Sequence, residues 1–126
     1  MVLVQYRSRR KVSGGRYRAY RGKRQFEAGS QPTMTTLGEK KVGQTRTLGG
    51  HAKHKMYATN FVNVHDPITK KAVKATMKNV VANPASKFFI RRNILTKGAV
   101  VETDKGKVKI TNRPGQDGNL NGIFVK

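Results

Sequence analysis

Lys55–Val81, reading KMYATNFVNVHDPITKKAVKATMKNVV, decides the fold. Its first part, Lys55–His65, is rich in β-branched and aromatic residues and runs into Asp66-Pro67, a strong turn initiator, so it reads as a strand. In its second part Val73, Ala75 and Met77 alternate with Lys74, Thr76 and Lys78. Apolar residues at a period of two mark a half-buried strand with one face inward. The two segments make a hairpin with a basic outer face.

The same pattern recurs downstream. Ala99–Thr103 and Lys107–Thr111 flank Asp104-Lys105-Gly106, with Val108 and Ile110 directed inward against Lys107 and Lys109, which predicts a second hairpin. Asn112–Gly118, NRPGQDG, is turn chemistry, and Leu120–Val125 supplies a closing apolar strand. Between the hairpins Asn83 reads as a helix N-cap with Pro84 at the first helical position. ASKFFIRR then makes one or two helical turns, with Arg91 and Arg92 near the negative end of the helix dipole. Phe88-Phe89-Ile90 reads as core rather than as a stacking platform, and Asn93 as a helix-terminating residue. Upstream, Val42–Leu48 is a candidate first strand. Gly49-Gly50 breaks it before HAKHK, which reads as a basic loop.

Five or six short strands with one short helix and no βαβ rhythm predict an all-β protein. A small antiparallel β-barrel is favoured over a sandwich, because closure removes the edges that so small a sheet would expose. The first forty residues are poor in Val, Ile, Leu and Phe. The expected organisation is therefore a basic N-terminal extension and connector over residues 1–41, with Ser30–Lys41 as connector, and a barrel domain over residues 42–126.

Charge bounds the function. With 27 Lys and Arg against six acids in 126 residues the net charge is +21, which destabilises a compact state by self-repulsion and calls for a polyanionic partner. The absence of Cys excludes disulfides and thiolate metal sites and suits a cytosolic protein. Met1–Val4 is too short for a signal sequence, and no stretch approaches the roughly twenty apolar residues that span a bilayer.

Arg7–Arg24, RSRRKVSGGRYRAYRGKR, concentrates that charge: nine of its eighteen residues are Lys or Arg and none is acidic. Such a segment is expected to be disordered until a polyanion neutralises it. Within it Ser13-Gly14-Gly15 is a turn signal, and the glycines let backbone lie against phosphate. Arg16-Tyr17-Arg18-Ala19-Tyr20-Arg21 interleaves guanidinium groups with rings on which unpaired bases can stack. Arg7, Arg9, Arg10, Lys11 and Arg24 add phosphate-binding charge. A solvated basic tail is the plainer alternative. A membrane-surface helix would need a continuous apolar face, which Gly14, Gly15 and Gly22 interrupt.

Little suggests catalysis. Glu102 and Asp104 are the only close carboxylates; they could hold a metal for a nuclease, but they read more simply as turn residues that temper positive charge. His51 and His54 lie in a basic, glycine-bounded stretch without a nearby acid or Cys, so no zinc site is expected, and neither a P-loop nor a nucleophile elbow occurs. No catalytic residue, metal, cofactor or small-molecule substrate is expected. The basic pairs Lys40-Lys41, Lys70-Lys71 and Arg91-Arg92, the stripe Lys105, Lys107, Lys109, and Arg113 lie beside predicted turns with few acids to partner them, which favours phosphate contacts. With no long amphipathic helix, helix-turn-helix or zinc-finger spacing for a DNA groove, irregular folded RNA is the better match. Extended, the first 25 residues would reach roughly 80 Å, far enough to thread between RNA helices.

These segments also resemble a known family. RKVSGGRYRAYRGKRQFEAG (Arg10–Gly29), TLGEKKV (Thr36–Val42), NPASKFFIRRNILTKGAVVET (Asn83–Thr103) and NRPGQDG (Asn112–Gly118) resemble, almost end to end, the eight-e family of ribosomal proteins of archaeal and eukaryotic small subunits. Its most specific motif falls on Arg10, Ser13, Gly14, Gly15, Arg21, Lys23, Glu27 and Gly29. Gln25 stands where that pattern leads one to expect a base, and Tyr6 where many members carry a tryptophan. The resemblance implies a barrel-like body with a long N-terminal extension and a structural role on small-subunit rRNA in the cytoplasmic ribosome. Neighbouring ribosomal proteins would be further partners, with no membrane and no homo-oligomer, and the compact length suits an archaeal-type member. It carries RNA contact onto Arg10, Ser13, Gly14, Gly15, Arg16, Arg18, Arg21, Lys23, Arg91, Arg92, Lys97 and Arg113; Tyr17, Tyr20, Lys40 and Lys41 are added from the residues themselves. The alternative is a free RNA chaperone or single-strand nucleic-acid-binding barrel.

Overall fold

The structure, a computed structural model, describes residues 3–5 and 7–125. Tyr6 lies outside the described residues. The chain divides into two compact units, Met1–Pro32 and Thr33–Lys126.

In the first unit β1 (Leu3–Val4) and β2 (Ala28–Gly29) pair antiparallel, Leu3 opposite Gly29 and Val4 opposite Ala28. A single 3-10 turn, Gln25–Glu27, leads into β2.

The second unit comprises β3 (Thr35–Leu37), β4 (Lys41–Arg46), β5 (Ala52–Thr59), β6 (Phe61–His65), β7 (Ala72–Ala82), α1 (Lys87–Arg91), β8 (Ile94–Leu95), β9 (Val100–Thr103), β10 (Gly106–Ile110), α2 (Pro114–Asp117) and β11 (Asn121–Phe124). Five strands form a closed barrel in the order β10-β11-β6-β7-β9, completed by pairing of β9 with β10. The expected all-β barrel is therefore present, with both expected hairpins in it. One pair departs from the antiparallel expectation: β11 runs parallel to β6. The remaining strands form a second sheet, β4-β5-β3-β8, in which β3 and β5 are parallel.

Alternation sets the barrel core. Val62, Val64, Ala75, Met77, Val101, Val108 and Ile110 are buried, while Phe61, Asn63, Lys74, Thr76, Lys107 and Lys109 between them are exposed. At Gly122 the interior is too tight for any side chain, since a Cβ there would collide with Val108 Cγ1 and Lys109 O.

Five local expectations are corrected. Lys55–His65 is not one strand but parts of two in different sheets. The buried positions run 56, 59, 62, 64, so the period-two alternation is interrupted at Thr59. There the Thr59 hydroxyl donates to Phe61 O and accepts from Phe61 N, turning the chain from one sheet to the next. HAKHK is not a loop: from Ala52 on it is the start of β5, paired with β4 from Arg46–Ala52 through Gly43–Lys55. The stretch taken as connector contains β3, whose Thr35 is buried and donates to Met56 O at 2.7 Å. Lastly, Ser86 rather than Asn83 caps α1, accepting from Phe88 N at 3.2 Å. Asn83 is buried as a latch: its amide donates to Ile94 O, and its carbonyl accepts from Ala85 N and the Thr96 hydroxyl. Helix α1 buries no residue, and Phe88, expected in the core, is 67% exposed, because a one-turn helix has no second turn to fold that ring against.

Candidate nucleic-acid interface

The basic arm holds more local structure than its charge predicts. Gly14 N donates to Lys11 O at 3.0 Å and Lys11 N to Gly15 O at 2.8 Å, and Arg10 bridges Arg16 antiparallel. Ser13-Gly14-Gly15 is thus the turn the sequence announces, with Gly14 at φ +83°, a conformation that costs other L-residues energy. Arg10 Nη1 donates to Gly14 O, tying its guanidinium to the turn, and Arg9, Arg10 and Arg16 line a concavity of about 400 Å³. Arginine's planar fork of donors is the side chain best matched to phosphate oxygens.

The two arm tyrosines differ. Arg7 Cζ lies 4.1 Å and Lys11 Nζ 5.7 Å from the Tyr17 ring centroid, so cations already accompany that ring. Tyr20 is 79% exposed, and its hydroxyl accepts from Arg21 Nε at 3.0 Å. Phe26, overlooked in the sequence as a stacking surface, is exposed, with Arg24 Cζ 5.9 Å from its centroid.

Arg21 has an internal partner. It forms a salt bridge with Glu27, whose carboxylate also accepts from Arg24 N at 3.3 Å. The hydrogen bond from Arg21 holds the Glu27 carboxyl below the usual range; the bonds that Arg21 donates to the Tyr20 hydroxyl and to Glu27 push its own pKa up. This explains the spacing of the motif: its closing acid fixes a base within the arm.

The other expected contacts are spread over the second unit. Lys40 and Lys41 are exposed at the start of β4. Arg91 ends α1, Arg92 is its exposed C-cap, and Lys97 is exposed between β8 and β9. Arg113 is the exposed N-cap of α2, its backbone N–H donating to Asp117 Oδ2 at 3.2 Å. Arg91, Arg92 and Lys97 thus share the α1-to-β9 segment, whereas Arg113 stands before α2, which packs on β5.

The basic HAKHK stretch is a ribbon rather than the expected loop. On the β4–β5 ladder Lys53 and Lys55 share one face with Tyr57, whose ring lies against Gly43; on the other face Met56 is buried. The alternation of Lys53, Lys55 and Tyr57 with Ala52, His54 and Met56 was the available signal, obscured by the glycine pair before it. The acids take structural parts: Asp104 Oδ1 accepts from Thr76 N at 3.1 Å, and Asp66 caps its own turn through Ile68 N and the Thr69 hydroxyl. Among the described residues no group of three or more His, Cys, Asp or Glu could hold a metal ion, and no helix is long and apolar enough to cross a membrane.

A closed five-stranded barrel in a chain of net charge +21 defines the class: a small basic all-β barrel protein. Comparison with known sequences narrows it. The profile of the family Ribosomal protein S8e matches residues 4–125, and the chain belongs to that family. It is 46% identical to "Small ribosomal subunit protein eS8" of Nanoarchaeum equitans, over 97% of this chain and 96% of that one. It is 45% identical to the protein of the same name from Methanobrevibacter smithii, over 99% and 100%, and 46% identical to that of Methanocella arvoryzae, over 98% and 99%.

Proposed function

We propose that this chain is a structural constituent of the small ribosomal subunit that binds and clamps small-subunit rRNA through its arm and the basic face of its barrel. Family membership across residues 4–125 carries the reading; the names of the relatives support the subunit, and the charge supports the rRNA contact. In this reading Arg7, Arg9, Arg10, Lys11, Arg16, Arg18, Lys23 and Arg24 bind phosphates, and Ser13, Gly14 and Gly15 shape the path. Tyr17 and Tyr20 face bases. Lys40, Lys41, Arg91, Arg92, Lys97 and Arg113 hold RNA against the second unit. Arg21 serves first as the partner of Glu27, which supports a positioning part for it. The partners are rRNA and neighbouring ribosomal proteins, the place is the cytoplasmic ribosome, and the role is not enzymatic.

Fractionation of a native lysate tests this. The chain is expected with small subunits, and to remain there through a moderate-salt wash. Recovery mainly as free protein would favour an RNA chaperone or single-strand binder instead.

A further inference from the structure

We infer that the outer face of β6, flanked by β7 and β11, is a seat for an unpaired RNA base. The inference rests on the RNA-binding reading above and names a site within it. Phe61 is 38% exposed on a strand whose alternate residues, Val62 and Val64, are fully buried. An exposed ring alone is unremarkable on a protein surface; its neighbours make this one informative. One step along the same face, Asn63 lies in register with Asn121 across the parallel pair, and Asn63 Nδ2 donates to Asn121 Oδ1 at 3.3 Å. That bond leaves an acceptor on Asn63 and donors on Asn121, the complement of a base edge bearing an adjacent donor and acceptor. The backbone of this row is fixed: Asn63 N donates to Leu120 O and Asn121 N to Asn112 Oδ1.

Cations complete the seat. Lys74 lies opposite Asn63 on β7, and its Nζ sits 4.0 Å from the Phe61 ring centroid. A base stacking on that ring would displace the ammonium towards the nucleotide's own phosphate. Lys109 is in register with Ile123, which is in register with His65, placing a second cation on the far side of the Asn row. The acids of this barrel surface, Glu102 and Asp104, lie beyond β7, where Asp104 is held by Thr76 N. Lysines alone would serve a phosphate backbone. A ring beside a paired amide row adds what a base requires: a face to stack on and an edge to read.

The test uses the full chain with two probes of equal length and charge, hexaadenylate and its abasic counterpart. Wild type is expected to prefer the base-bearing oligomer by about tenfold, the order of one stacked base. Phe61→Leu should lose most of that preference and Asn63→Ala part of it, with abasic affinity unchanged in both. Photocrosslinks from a thiouridine-bearing oligomer should map to Phe61–His65. An unchanged preference in Phe61→Leu, or crosslinks confined to the arm, would overturn the seat. If rRNA binding persists in that case, the wider reading stands without it; if the chain binds neither oligomer nor rRNA, both fall.

Discussion

The Arg21 guanidinium donates through both terminal nitrogens to the Glu27 carboxylate six residues on, closing the second half of the arm into a loop. In a segment with nine cations from Arg7 to Arg24, Glu27 organises Arg21. Because hydrogen bonding from Arg21 lowers the Glu27 pKa in the folded arm, the contribution is fully present above the ordinary carboxyl value of 4.5 and lost as pH falls through the lower folded value. Glu27→Gln, or acidification below pH 4.5, should lower the protection of the Gly29 amide against hydrogen exchange, relative to the intrinsic rate at each pH, while barrel amides stay protected. Unchanged exchange at Gly29 would mean that the salt bridge does not hold the arm.

Removing residues 1–32 should leave the barrel folded by circular dichroism, since the second unit has its own core. The slope of log affinity for rRNA against log salt should become shallower by about 6 to 8 units if all nine arm charges displace counterions. A change below about two units would assign the binding to the second unit.

The β4–β5 ribbon offers a separable contribution. Lys53→Gln combined with Lys55→Gln should reduce the salt slope by roughly 1.5 units, at 0.7–0.9 per phosphate contact, with the melting temperature unchanged. A slope equal to wild type would leave those lysines as solvated surface.

Two positions test the fold. Gly122→Ala should cost about 1–3 kcal/mol by chemical denaturation, because its Cβ meets Val108 and the Lys109 carbonyl in a closed interior. Asn83→Ala should cost about 2–3 kcal/mol, since it abandons the carbonyl of Ile94, the amide of Ala85 and the hydroxyl of Thr96 in a buried loop. Values near zero would contradict those placements.

The barrel was legible wherever alternation ran unbroken. Val73 to Met77 and Val108 to Ile110 appear as anticipated, because one apolar face leaves a strand a single register. Legibility failed where one hydroxyl or amide decides the path. Thr59 turns the chain between sheets through its own hydroxyl, and it is buried out of phase with Met56 before it and Val62 after it. Asn83 and Ser86 are both plausible caps, and only the loop hydrogen bonds separate latch from cap. Thr35–Leu37 is too short to show a period, and its strand character comes from pairing with β5 and β8. In the site the cations were countable from sequence, but the internal pairing of Arg21 and the shared face of Lys53, Lys55 and Tyr57 depend on what lies opposite each residue.

The parallel pairing of β11 with β6 also has a consequence in time. Asn121–Phe124 fills the gap between two strands that are complete some ten to sixty residues earlier in the chain, so a nascent chain lacking it presents two open edges. Strand edges left open invite mispairing, and distant pairings form slowly. The arm, by contrast, leaves the synthesising ribosome first and needs only its own short-range contacts. It can therefore engage a polyanion while the barrel is still unfinished, and that engagement would shield a chain of net charge +21 during its most exposed interval.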